Sequence, residues 1–417
     1  MIRGSRLARL ALAFALALAV SRAGTARAED RPVVILLSWD GTRHDYPERV
    51  KTIALARMQR EGTRAARITP VFPSSTFPNH VSLATGTYVD RHGVIANSFK
   101  DRAGRKFNYS NDASWIEAEP LWIAAERQGV RAATFFWVGS ETDWRGQGAS
   151  YRVKPFDASV GEAAKVDQIL AWLDLPASER PGLIMSWWHG CDHIGHEEGP
   201  NSPNIAVQLA AQDAQLARLF AGLDERKAWP NTTVIVTSDH GMAEVTGVVD
   251  AVGPLDGEGI RARTDFGGGD GQVYLATPSQ REAALASFAK TAEIRAYTSE
   301  SLPPAYRSFF AGRSGDLTLV AAPPLVLGRP NAARKALGPV SRMLGHVTGA
   351  HGFDPDLPDM GAIFFALGRE VPAGEKLGTV RAIDVAPTVA ALLGIEPPAQ
   401  SEGRALFQTA SKIDAKP

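Results

Sequence analysis

Four runs of mostly apolar and β-branched residues mark the chain. Residues 33–37 end at Ser38-Trp39-Asp40-Gly41, and 132–137 end at Gly139. Residues 182–187 run toward Asp192, and 232–237 end at Ser238-Asp239-His240-Gly241. Rich in β-branched and aromatic residues and without polar alternation, they predict strands buried on both faces. Between them, apolar positions recur at helical spacing over 50–61, 120–128, 163–173 and 205–223, the last carrying Leu209, Leu216 and Phe220. Strands alternating with helices predict an α/β fold, a mostly parallel central sheet with helices on both faces. A short strand over 362–366 and a helix near 382–393 continue the pattern. It weakens around 245–345, where Gly267-Gly268-Gly269-Asp270-Gly271, Pro303-Pro304 and Pro323-Pro324 cluster, and this stretch reads as an inserted cap or subdomain. The glycine run reads as a turn before a strand over 272–275, because the helix and lysine of a phosphate-binding loop do not follow it.

The N-terminus departs from this pattern. Arg3, Arg6 and Arg9 precede the apolar run 10–20, and Ala26-Arg27-Ala28 offers a small-x-small cleavage site before Glu29. The run is shorter than the roughly 20 residues that span a bilayer, so 1–28 reads as a secretory signal peptide. The expected location is exported: periplasmic in a Gram-negative bacterium, secreted otherwise. No later stretch reads as a transmembrane segment. Five of the 45 basic and none of the 45 acidic residues precede Glu29, which leaves 29–417 with a net charge of −5. That balance carries no nucleic-acid-binding footprint. Cys191 is the only cysteine. An intrachain disulfide is therefore excluded, and Cys191 reads as a small buried residue at a strand end.

Candidate chemistry sits where the strands stop. Three of the four strands lead into Asp, or Asp with His, and ligands of parallel α/β sheets bind beyond the strands' carboxyl ends. Asp192 and His196 are four apart, a spacing that brings both to one face of a helical turn. His351 can complete a three-ligand set with them, while Asp40, Asp239 and His240 form a second set. Asp and His without thiolate suit zinc. Two zinc ions about 4 Å apart would clamp the attacking and leaving oxygens of an in-line displacement.

Six segments now carry a resemblance: Leu37-Ser38-Trp39-Asp40-Gly41; Phe72-Pro73-Ser74-Ser75-Thr76-Phe77-Pro78-Asn79-His80; Gly86-Thr87-Tyr88 through His92-Gly93-Val94-Ile95-Ala96-Asn97; 192–200; 238–242; and 350–355. In this order, over nearly all of 29–417, they resemble the nucleotide pyrophosphatase/phosphodiesterase family of the alkaline phosphatase superfamily. Pro-x-x-Thr-Phe-Pro-Asn-His is the most specific. The resemblance implies an alkaline-phosphatase-like fold with Thr76 as nucleophile. It also implies one zinc on Asp40, Thr76, Asp239 and His240, a second on Asp192, His196 and His351, and a phosphothreonine intermediate. By itself Thr76 is a hydroxyl in a proline-flanked turn that equally suits a helix N-cap.

The same resemblance sets Asn97 against a non-bridging phosphoryl oxygen. A neutral amide suits the single charge of a diester, whereas a monoester dianion usually meets Arg or Lys, and none lies near Thr76 in sequence. Phe77, Trp137 and Trp187 are the expected substrate-binding aromatics, able to stack a base or enclose a choline head group. Trp187 stands where nucleotide-cleaving relatives carry Tyr, and Val138 where the family has proline. His189 and His193 match no ligand position. The expected activity is hydrolysis of phosphodiester or phosphoanhydride bonds in a small molecule or nucleotide. Alternatives are a lipid head-group phosphodiesterase, a phosphomonoesterase or phosphonate hydrolase with a remote cationic clamp, and a catalytically silent metal-binding relative.

Overall fold

The first apolar run forms strand β1 (Val33–Trp39), in which every residue is buried. Alternation sends Val34 and Leu36 into the core on one face, and Val33, Ile35, Leu37 and Trp39 into the core on the other. This computed structural model describes residues 31–330 and 348–407. The signal peptide expected over 1–28 lies outside the described residues.

Seven further strands join β1: β2 (Thr63–Thr69), β3 (Ala132–Phe135), β4 (Tyr151–Val153), β5 (Leu183–Trp188), β6 (Thr232–Thr237), β7 (Phe364–Gly368) and β8 (Glu375–Arg381). Their order is β8-β2-β7-β6-β1-β5-β3-β4. Only β7 runs against its neighbours; the other pairings are parallel. Helices α1 (Ala54–Glu61), α2 (Thr76–Thr85), α3 (Leu121–Arg127), α4 (Glu162–Leu173), α5 (Asp192–Glu198), α6 (Pro203–Glu225) and α7 (Val385–Leu393) surround the sheet. Residues of α2, α3 and α7 fill one core and those of α1, α4 and α6 the other. The α/β architecture with helices on both faces follows directly from the apolar runs.

Three strands have no such run. β8 is mostly exposed and pairs only with β2, so its polar sequence carries no buried signature. β4 is the opposite edge, and half-exposed. β2 mixes buried Thr63, Ala65 and Ile68 with arginines. The run expected to continue to Trp137 stops at Phe135, because Phe136 adopts φ +58° and turns the chain.

A separate four-stranded antiparallel sheet is built from Ala262–Phe266, Asp270–Leu275, Leu317–Ala321 and Ile294–Tyr297, in that spatial order. It has its own hydrophobic cluster, including Val273, Phe288 and Leu319. The turn between its first two strands holds Gly267, Gly268 and Gly269, and the Gly269 N–H donates to the His351 carbonyl at 2.9 Å. Among the described residues no helix is long and apolar enough to cross a membrane.

Candidate active site

β6, β1 and β5 are adjacent and parallel, so their carboxyl ends open on one side of the sheet. Asp40 follows β1, Asp239 and His240 follow β6, and Asp192 begins α5 just after β5. Two glycines permit the close approach. Gly41 and Gly190 both have φ +60°; a Cβ on Gly41 would lie 2.7 Å from the Asp192 backbone, and one on Gly190 only 1.7 Å from the Asp40 carbonyl oxygen. The backbone is thereby pinned: Cys191 N–H donates to the Asp40 carbonyl at 2.9 Å. Cys191 itself is buried, and burial pushes its thiol up to about 12, which fits a filler rather than a ligand.

α5 delivers His196 four residues after Asp192, and the loop after the short strand Thr348–Ala350 delivers His351. Donor atoms of Asp192, His196 and His351 lie within 4.8 Å of one another, as do those of Asp40, Asp192 and His240. Asp192 Oδ1 is 3.4 Å from His196 Nε2 and 3.8 Å from His351 Nε2. His240 Nε2 is 3.2 Å from Asp239 Oδ2 and 3.7 Å from Asp40 Oδ1. A zinc ion bound tetrahedrally at about 2.0–2.1 Å sets neighbouring donors about 3.3–3.4 Å apart, so these spacings fit a metal site. Asp192 faces both sets rather than one. Asp40 Oδ1, Asp192 Oδ1 and Asp239 Oδ2 are buried with no hydrogen-bond partner among the described residues, which is what carboxylates aimed at a cation show.

Electrostatics agree with that fit. Burial lifts the Asp40 carboxyl well above the carboxylate range, and Asp239 and Asp192 add repulsion. Burial likewise raises Asp239 to about 7 and raises Asp192. Burial lowers His240 to about 3, and lowers His351 well below its usual value with His240 and His196 reinforcing it. The imidazoles are therefore neutral with lone pairs available, while the carboxylates are short of positive charge. Supporting hydrogen bonds fix the rings: His240 Nδ1 faces the Gly241 carbonyl at 2.8 Å and His196 Nδ1 the Gly349 carbonyl at 3.0 Å, leaving each Nε2 toward the carboxylates.

Thr76 opens α2, and its Oγ1 lies 3.2 Å from His240 Nε2. The N-cap residue is Ser75, so Thr76 is the first helical residue and its hydroxyl is not spent on capping. Asn97 Oδ1 accepts the Phe77 N–H at 2.8 Å, which makes the amide NH2 the donating end, with the Tyr109 hydroxyl beside it. His80, the last residue of the Pro-x-x-Thr-Phe-Pro-Asn-His motif, had no role assigned from sequence. Its Nδ1 faces the Thr76 carbonyl at 2.9 Å and its Nε2 the Ser38 hydroxyl at 2.8 Å, so it ties the start of α2 to the end of β1.

Beside Thr76 lies a cleft of ≈ 230 Å³, lined by Asp40, Thr76, Phe77, Tyr109, Asn111, Phe136, Val138, Phe156, Trp187 and Asp192. Among these described residues there is no lysine or arginine. Phe77 and Trp187, two of the aromatics expected to bind substrate, line this cleft. Trp187 does more than line the wall: its Nε1–H donates to Asp40 Oδ2 at 2.9 Å. Trp137 is not brought to the cleft, a correction to its expected substrate contact. The turn at Phe136 points the Trp137 ring inward, fully buried and edge-on to His80 at 5.5 Å, and its neighbours Phe136 and Val138 line the cleft instead. Tyr109, with φ +46°, and Phe156 come from irregular segments with no periodic signal; Tyr109 is 59% and Phe156 42% exposed, unusual for rings that size. His193 is exposed beside Glu197, and His189 is held by Glu162 at 2.8 Å, so neither joins the donor sets.

Residues 34–354 match the family model described as type I phosphodiesterase / nucleotide pyrophosphatase. An uncharacterized pyrophosphatase/phosphodiesterase of Schizosaccharomyces pombe is 37% identical over 218 residues, 50% of this chain and 44% of that protein. The bis(5'-adenosyl)-triphosphatase of Xenopus laevis is 29% identical over 87% of this chain and 78% of its own. A venom phosphodiesterase of Crotalus durissus collilineatus is 35% identical over 51% of this chain but only 26% of its own length. This chain thus spans less than half of the yeast and snake relatives. Among solved structures, murine ectonucleotide pyrophosphatase / phosphodiesterase 5 in complex with AMP superposes with a TM-score of 0.79 at 24% identity, covering 88% of this chain and 96% of that one. That likeness shows a shared fold.

Proposed function

Since the chain belongs to the type I phosphodiesterase / nucleotide pyrophosphatase family, we propose that it is a zinc-dependent hydrolase of phosphodiester or phosphoanhydride bonds, acting through a phosphothreonine intermediate on Thr76. The observation that carries this reading is the convergence of three carboxylates, two of them buried, and three imidazoles, one of which lies 3.2 Å from the Thr76 hydroxyl. In the proposed assignment one zinc is held by Asp40, Thr76, Asp239 and His240, and a second by Asp192, His196 and His351. The position of Asp192 between the two donor sets supports two closely spaced ions. When bound, the ions would supply Lewis-acid charge stabilisation and lower the pKa of the threonine hydroxyl.

On this reading Thr76 Oγ1 loses its proton and attacks phosphorus. The Oγ1–P bond forms as the bond to the leaving oxygen breaks, and water then cleaves the Oγ1–P bond. Two inversions give net retention at phosphorus. The Asn97 NH2 would hold a non-bridging oxygen. An aromatic cleft without a cationic side chain supports a diester or nucleotide over a monoester dianion. The names of the relatives, an adenosyl-triphosphatase and a venom phosphodiesterase, agree with that class. The ring set also suits a quaternary ammonium head group, so p-nitrophenyl phosphorylcholine belongs in the test panel. The leader reading of 1–28 supports export. We further propose that the described part of 245–345, residues 245–330, belongs to an inserted subdomain whose glycine turn braces His351; 331–345 lie outside the described residues.

The test is turnover of p-nitrophenyl thymidine monophosphate, bis-p-nitrophenyl phosphate, p-nitrophenyl phosphorylcholine and p-nitrophenyl phosphate, with zinc and with chelator. Faster hydrolysis of the monoester would overturn the diester assignment.

A further inference from the structure

Lys165 is fully buried on α4, and its Nζ has no hydrogen-bond partner among the described residues. Burying an ammonium group is costly unless something compensates it, and among the described residues two neighbours favour the Lys165 charge. Glu162 Oε1 lies 3.6 Å from Nζ, and the face of the Trp187 indole lies 4.8 Å from it, centroid to Nζ. Glu162 is in turn fixed by His189, whose backbone N–H and Nδ1 reach the same carboxylate oxygen at 3.0 and 2.8 Å, while its Nε2 faces the Ala158 carbonyl at 2.9 Å. The His189 ring also packs at 4.9 Å from the Trp187 ring. Phe156 closes the remaining side, edge-on at 5.3 Å. Trp187 is thus gripped on several sides, and its N–H points to Asp40 Oδ2.

We propose that Lys165 is a positioning residue for the metal centre: through the Trp187 ring it fixes and polarises the N–H that holds Asp40, so that Asp40 Oδ1 stays aimed at the metal. A cation over the face of an indole draws electron density toward itself and makes the N–H a stronger donor. The bond to Oδ2 then locks the carboxylate's rotation, which is how outer groups tune metal ligands. Burial draws the Lys165 ammonium down to about 8, with Glu162 opposing, so the charged form still predominates at neutral pH. This inference rests on the zinc reading of the site for its ligand, though not on turnover.

The test compares wild type with Lys165→Met, which keeps the stem and removes the charge, and Trp187→Phe, which keeps a ring and removes the N–H. Zinc affinity is measured by chelator competition, and the Trp187 indole proton by ¹H–¹⁵N NMR, assigned by its loss in Trp187→Phe. Both variants should bind zinc about tenfold more weakly, and in Lys165→Met the indole resonance should move upfield as its hydrogen bond weakens. Wild-type zinc affinity with an unmoved indole resonance in Lys165→Met overturns the proposal. Should that variant fail to fold, Trp187→Phe decides: unchanged zinc affinity there breaks the link to Asp40 and overturns it equally. If wild type binds zinc yet hydrolyses no diester, the functional reading fails while this inference is still decided by the affinity and the resonance.

Discussion

Asn97 is joined to the nucleophile's neighbour by one hydrogen bond, from Phe77 N–H at 2.8 Å, which orients its amide. On the proposed chemistry Asn97→Ala removes a donor to the transferring phosphoryl group, and kcat on bis-p-nitrophenyl phosphate should fall about 100-fold; an unchanged kcat would remove Asn97 from the mechanism. A second prediction concerns pH. Burial raises Asp239 to about 7 and Asp270 to about 8, from an ordinary 3.8. Between the ordinary and raised values the folded protein keeps protons the unfolded chain has released, so the stability these groups contribute is lost as pH rises. His240 and His351 act in the opposite sense, but only below their ordinary 6.5. From pH 6.5 to 8 the carboxylates dominate, and the melting temperature of chelator-stripped protein should decline; zinc should remove the Asp239 share. A melting temperature that climbs across that window in scanning fluorimetry contradicts the assignment. At this scale Asp40, Asp239 and His240 were legible because they follow closely on the ends of apolar runs, and His196 because of its spacing from Asp192. Trp137 was not, since one backbone angle at Phe136 decides whether its ring faces cleft or core.

The elements act through how closely β1 and β5 end together. Gly190→Ala would drive a Cβ to 1.7 Å from the Asp40 carbonyl, at a φ of +60°. We expect a loss of about 2–4 kcal/mol in urea unfolding together with weaker zinc binding. Gly129→Ala is the control: its φ is +75°, but nothing lies within 4 Å of the added Cβ. Only the backbone strain remains there, about 1 kcal/mol, with zinc binding intact. Equal effects at the two glycines would show that the β1–β5 approach does not matter. The buried strands β1, β5 and β6 were readable as continuous apolar runs. The edge strands β4 and β8 were not, because pairing on one side leaves polar side chains in solvent. Tyr109 and Phe156 reach the cleft on irregular segments, where no period announces an aromatic wall.

Across the whole molecule, the donors run from Asp40 to His351, and the last depends on contacts far from the central sheet. Gly269 N–H holds the His351 carbonyl, while Gly352 N–H donates to the Ser74 carbonyl at 2.9 Å and the Ser74 hydroxyl to the Phe353 carbonyl at 2.7 Å. The small sheet, the His351 loop and the segment before Thr76 are therefore one braced unit. A ligand at 1,000 times its Kd stabilises by about 4 kcal/mol, so saturating zinc should raise the melting temperature of stripped protein by at least about 5 °C; no shift would count against a metal held by these donors. The order of the motifs was legible in the chain, but this bracing was not, since it depends on backbone groups that any sequence supplies. The most direct test of the account is acid quench of the zinc-loaded enzyme during turnover of p-nitrophenyl thymidine monophosphate, followed by peptide mass analysis. The account predicts a thymidylyl adduct on the peptide containing Thr76, and in Thr76→Ala no adduct and turnover reduced by more than about 1,000-fold. An adduct on another residue, or wild-type turnover by Thr76→Ala, would contradict it.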